Sequence, residues 1–170
     1  GWTRSETIRM IRLALAGFGG TKSSSPDPYG GSAYFAPTST ANTAIFQEVD
    51  LAPLGYDAHR LATGGYRVRV QGWQYTAPPF SLGQITLSQK TSSGSANGST
   101  SLPAYTTPTW GLSQQYAQIA PGTTKLIYSF QAISTNTLYL NPFLDDASLE
   151  VSKYRIWTYG DTSSTEISRD

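Results

Sequence analysis

Cysteine is absent from this 170-residue sequence, and histidine occurs once. The first absence excludes disulfides and thiolate metal sites, and it fits a bacterial or viral protein better than a small secreted animal domain. With a single histidine and no suitably spaced carboxylates, no metal-hydrolase cluster can be read. Charge is also sparse: 14% of residues are Asp, Glu, Lys or Arg, against about a quarter in ordinary soluble domains. The formal net charge is +1, so no strong field draws in nucleic acid or an anionic membrane surface. No apolar run is long enough to span a bilayer, which argues against membrane insertion, and no signal peptide pattern is visible. The sequence opens Gly1-Trp2 in place of Met, read as a processed end or a boundary within something longer.

Gly, Ser, Thr, Tyr and Gln fill the places that charges leave. Four Trp, eleven Tyr and six Phe spread along the length speak against disorder. The length suits one domain with a real core: residues 1–159 are expected to form it, with 160–170 as a polar tail or linker.

The clearest strand runs from Gly65 to Tyr75. Tyr66, Val68 and Val70 fall on one face, and Arg67, Arg69, Gln71, Trp73 and Tyr75 on the other. Similar alternation marks Thr43–Leu51, Leu82–Gln89, Lys125–Ala132 and Lys153–Tyr159, and Trp110–Ile119 and the short Ser32–Ala36 also read as strands. The first eighteen residues fit either a helix or a strand, and the β character downstream favours a strand. Gly19–Gly31 reads as a surface loop, and so does Lys90–Pro108, which is rich in Ser, Gly, Thr, Asn and Pro. One helical turn fits before Gly64-Gly65. Roughly eight to ten short strands and little or no helix make an all-β antiparallel sandwich.

Near the end lies Leu144-Asp145-Asp146-Ala147-Ser148-Leu149, an extended segment that follows a break at Pro142. Adjacent carboxylates at a strand start need a cation, backbone donors or water, because an unpaired buried carboxylate is costly. Together with Gln47-Glu48-Val49-Asp50-Leu51, the Gly65–Tyr75 strand and the opening Gly1-Trp2, this stretch resembles the galactose-binding-like jelly rolls, the β-sandwich family that includes many carbohydrate-binding modules. The resemblance covers most of the chain at the level of pattern. It implies that Asp145 or Asp146 helps to hold a structural Ca²⁺ that clamps loops. The acidic partner that the family places on a first strand is not in this sequence. The alternative is that both carboxylates cap a turn by accepting main-chain N–H bonds.

No catalytic residue is assigned. His59 has no orienting constellation near it, and no Gly-x-Ser-x-Gly elbow occurs. The candidate ligand surface is the row Arg67, Arg69, Gln71, Trp73 and Tyr75, since aromatic rings can stack on sugar faces and planar polar groups can bond hydroxyls. The same row could instead be a solvated outer face, partly covered by the Lys90–Pro108 segment, or a protein interface. Trp2 and Trp110 read as core-edge residues. Asn97-Gly98-Ser99 matches a glycosylation acceptor.

Two readings follow. One is a non-catalytic recognition module, glycan-binding or adhesive, carried by a larger extracellular, cell-surface or virion protein, with a glycan or polysaccharide as partner. The other is a structural sandwich of a phage tail, fibre or capsid decoration, docked on neighbouring subunits.

Overall fold

A computed structural model describes residues 9–12, 21–22, 29–30, 34–37, 43–77, 81–134 and 142–154. They form strands β1 (Arg9–Arg12), β2 (Thr21–Lys22), β3 (Tyr34–Phe35) and β4 (Thr43–Asp50), then helix α1 (Ala58–Thr63). Strands β5 (Tyr66–Thr76), β6 (Ser81–Lys90), β7 (Ala96–Ser101), β8 (Gly111–Gln118), β9 (Lys125–Ser134) and β10 (Pro142–Lys153) follow. The expectations for Trp2, residues 155–159, the 160–170 tail and the limits of the domain lie outside the described residues. So does most of the first segment, but its strand reading holds at β1.

Two antiparallel sheets face each other. One orders its strands β2-β3-β10-β5-β8, with β1 also on β10, and the other β4-β9-β6-β7. Strand β5 takes one edge of β10 along its length, so β1, at Ser148–Val151, and β3, at Leu144, share the other edge end to end. The period-two pattern aims Val68, Val70, Leu144, Leu149 and Val151 inward from the first sheet. Ile85, Leu87, Leu126, Tyr128 and Phe130 meet them from the second, all fully buried. Close approach of the sheets depends on Gly72, where a Cβ would stand 2.7 Å from both Leu144 Cδ1 and Tyr128 Oη.

The helix before Gly64-Gly65 is present. Asp57 caps it by accepting the Arg60 N–H at 2.7 Å, Leu61 anchors it in the core, and Gly64 ends it at φ 71°. No helix among the described residues is long and apolar enough to cross a membrane.

Two loop expectations need correction. Residues 90–108 contain β7, which pairs with β6 from Thr86↔Ser101 to Lys90↔Ala96 around a turn closed by Thr91 N–H to Ser95 O at 3.0 Å. This edge strand is exposed or half-exposed throughout, so it carries no apolar alternation to read. The 19–31 segment contains β2, paired with β3 through Thr21↔Phe35 and Lys22↔Tyr34. Two residues are too few to show a period.

Candidate ligand-binding face

The outer face of the six-stranded sheet is built by register. Strand β5 contributes Arg67, Arg69, Gln71, Trp73 and Tyr75, as the alternation requires. Strand β10 sets Ser152 beside Arg67, Glu150 beside Arg69, Ser148 beside Gln71, Asp145 beside Trp73 and Phe143 beside Tyr75. On the other side, β8 sets Gln118, Tyr116, Gln114 and Leu112 beside Arg67, Arg69, Gln71 and Trp73.

The five residues of the row meet different surroundings. Tyr75 is half-buried: it packs with Trp110 and Phe143 at ring separations of 5.7 and 5.8 Å, against a small second core of Tyr34, Ala36 and Phe143. Trp110 is thus a core-edge residue, as expected. Trp73 lies under Tyr29, ring centroids 3.4 Å apart and planes 14° from parallel. Over this end of the row the ring contacts come from Tyr29 and Trp110. Arg69 forms an ion pair with Glu150, and its Nε is buried without a partner. Gln71 is half-buried at the centre of the face. Arg67 is exposed; its Nε donates to Ser152 Oγ at 3.1 Å, and its guanidinium carbon stands 5.3 Å from the Tyr116 ring centroid.

What the row alone did not reveal is the contribution of β8. Tyr116 is 55% exposed and Leu112 41%, both beside the β5 row. The available signal was weak: alternate positions 112, 114, 116 and 118 of a Gln-rich strand.

Asp145 and Asp146 sit where the β10–β5 pairing slips, between Asp145 and Ser148. Asp145 is buried, and both of its oxygens accept main-chain bonds: Oδ2 from Gly30 N–H at 3.0 Å and Oδ1 from Asp146 N–H at 2.8 Å. Asp146 is exposed and adopts φ 45°, a conformation its short polar side chain tolerates. Among the described residues no group of three or more His or acidic side chains gathers here or elsewhere. His59 stands exposed in α1. The Asn97 amide donates to Pro121 O and Thr123 Oγ1, both at 2.9 Å, so this sequon nitrogen already serves the fold.

No family model matches the sequence, and no curated protein does. Solved structures do match. The C-terminal family 22 carbohydrate binding module of Clostridium thermocellum Xyn10B aligns with 92% of this chain and 92% of its own, at 15% identity and TM-score 0.52. The CBM22-1 xylan-binding domain of Paenibacillus barcinonensis Xyn10C aligns over 91% and 90%, at 13% identity and TM-score 0.50. The enzymatically active domain of bacteriophage CBA120 tailspike protein 4 aligns with 86% of this chain at 14% identity and TM-score 0.54. A structure of infectious bursal disease virus, Gt strain, aligns with 89% at 13% identity and TM-score 0.52. The chain spans 19% of that tailspike protein and 32% of that viral protein. The shared feature is the architecture: this chain has the jelly-roll β-sandwich fold, and carbohydrate-binding modules are among its structural neighbours.

Proposed function

We propose that this chain is a non-catalytic glycan-recognition module, and that it binds through the open part of the outer sheet face, around Arg67, Gln71, Gln114 and Tyr116. The observation that carries this reading is Tyr116, an exposed ring on a sheet face bordered by guanidinium and amide groups. A sugar offers apolar CH faces and a rim of hydroxyls, and these groups complement both. Of the original row, Arg69 supports the face through Glu150, Trp73 contributes through its stack with Tyr29, and Tyr75 is a packing residue. The module fits a larger extracellular, cell-surface or virion protein. The test is a glycan array on the whole chain. Tyr116→Ala is expected to lower affinity about tenfold by loss of stacking. Phe46→Ala, which removes a ring 68% exposed on the other sheet, should leave binding unchanged. Equal loss in both variants, or none in either, refutes the site.

A second reading rests on strand β8. It is eight residues long, carries no charge, exposes Leu112 and Tyr116, and has no strand on its far side among the described residues. Unprotected edges of this kind pair with other chains. A subunit of a tail, fibre or capsid assembly would use it so. Concentration-dependent oligomers that shield Tyr116, with no glycan binding, would favour this reading.

For calcium the proposal is narrow. Ca²⁺ takes about six to eight oxygen ligands, and both Asp145 oxygens already accept main-chain bonds. Asp146 is the carboxylate left to meet a cation. A rise in melting temperature with Ca²⁺ that Asp146→Asn abolishes supports it, and no rise refutes it.

A further inference from the structure

Three strands cooperate to hold one guanidinium in place. Arg67 projects from β5, Ser152 of β10 accepts its Nε–H at 3.1 Å, and Tyr116 of β8 places its ring 5.3 Å from the guanidinium carbon. A guanidinium has five N–H donors in a fixed plane. One is used here, and the Nη atoms have neither a carboxylate nor another acceptor among the described residues. The neighbouring cation differs: Arg69 is neutralised by Glu150, directly beside it on β10. At the corresponding places beside Arg67 stand Ser152 and Gln118, both uncharged. Among the described side chains, the uncompensated positive charge beside the exposed Tyr116 ring is therefore that of Arg67.

We propose that this face selects glycans bearing an anionic group, a uronate carboxylate or a sulfate ester, and that Arg67 reads that group. The inference rests on the glycan reading above and names its ligand class. The pyranose ring stacks on the open side of Tyr116, and its anionic substituent accepts from the Nη donors. Gln114 and Gln118, two residues to either side on β8, supply amide groups for hydroxyls. Ser152 and Tyr116 orient the guanidinium before ligand arrives, so less side-chain freedom is lost on binding. A planar fork suits a carboxylate or sulfate through paired bonds, which an ammonium cannot reproduce.

The test uses the whole chain and matched ligands that differ in charge alone: oligogalacturonate against its methyl ester, and a sulfated galactan oligosaccharide against its desulfated form. Calorimetry should show the anionic member of at least one pair binding roughly ten- to a hundred-fold more tightly, the range for hydrogen bonds to a charged group. Which pair shows the preference identifies the group. The preference should shrink as salt rises from about 0.05 to about 0.5 M. Arg67→Gln should lower the affinity of the anionic member much more than that of the neutral one, bringing their ratio to about one. Arg67→Lys should restore a small, salt-sensitive part of it. Equal affinity within both pairs, or a loss in Arg67→Gln that is the same for charged and neutral members, overturns the inference while the glycan reading stands. Absence of binding to every saccharide overturns the glycan reading, and this inference falls with it.

Discussion

Gln89→Leu should destabilise the sandwich by about 3 kcal/mol, and the figure follows from one side chain joining the two sheets. Gln89 belongs to β6 and is buried. Its Oε1 accepts from Ala120 N–H at 2.8 Å and from Thr123 Oγ1 at 3.0 Å, and its Nε2 donates to Gln118 O at 3.0 Å. It thus ties the end of β8, in one sheet, and the turn into β9 to β6 in the other. Leucine has similar bulk and no polar atom. The Ala120 amide would lose its partner at a cost of about 1–3 kcal/mol, and the Thr123 hydroxyl, fully buried, about 1 kcal/mol more. The Gln118 carbonyl, on an exposed residue, can turn to water and adds little. For a domain of this size about 3 kcal/mol corresponds to a fall in melting temperature of roughly 6–12 °C. Urea unfolding with an unchanged denaturant slope measures it directly. A double-mutant cycle with Thr123→Val then isolates the pair, with an expected coupling of about 0.5–3 kcal/mol. A loss below about 0.5 kcal/mol, or additive single and double variants, would refute the reasoning.

Three further outcomes follow from the packing and the charges. Gly72→Ala should cost about 1–3 kcal/mol in a thermal melt, because its Cβ would press on Leu144 and Tyr128, which lie fully buried and cannot withdraw into solvent. Glu150→Ala should cost about 1–3 kcal/mol by leaving the Arg69 guanidinium half-buried and unpaired, and adding Arg69→Met should recover much of the loss. The hydrogen bond from Lys125 at 2.7 Å, with further attraction from Lys125 and Lys90, holds the Glu48 carboxyl below its ordinary value of 4.5. Its contribution is therefore complete above pH 4.5 and fades as pH falls through the lower folded value. Urea midpoints of Glu48→Gln and the unaltered chain should converge in that acid window, and high salt should narrow their difference at neutral pH, since the pair is exposed.

The fold was readable in the sequence because its central strands are half-buried. A strand with core on one side and a different environment on the other writes that contrast as alternation, as in Thr43–Asp50 and Tyr66–Thr76. A helical turn before Gly64-Gly65 was likewise legible, and α1 ends at Gly64. Strands that lack the contrast were lost. Strand β7 shows solvent to both sides, and β2 is two residues long, held to the sheet by tertiary pairing that no local period records. The carboxylate pair was legible as a place needing donors. That the donors include the main-chain N–H of Gly30, 115 residues away, was not.

The candidate site shows the same limit from the other side. Period two assigned Trp73 and Tyr75 correctly to the outer face, but a face is not a surface until one knows what lies on it. Tyr29 and Trp110 come from distant parts of the chain and pack on Trp73 and Tyr75 at the end of β5, leaving both rings half-buried. Tyr116, on an edge strand without strong alternation, stays open to solvent. The aromatic residues should therefore separate by experiment. Trp73→Ala removes a ring stacked at 3.4 Å on Tyr29 and should appear first in the melt, with a loss of about 3–5 kcal/mol for a well-packed tryptophan, reduced in proportion to its remaining exposure. Tyr116→Ala should leave the melt within about 0.5 kcal/mol and appear in ligand binding. If Trp73→Ala abolished binding with an unchanged melt, the Tyr29 stack would be no cover at all. The ligand surface would then return to the end of β5 where the sequence first placed it.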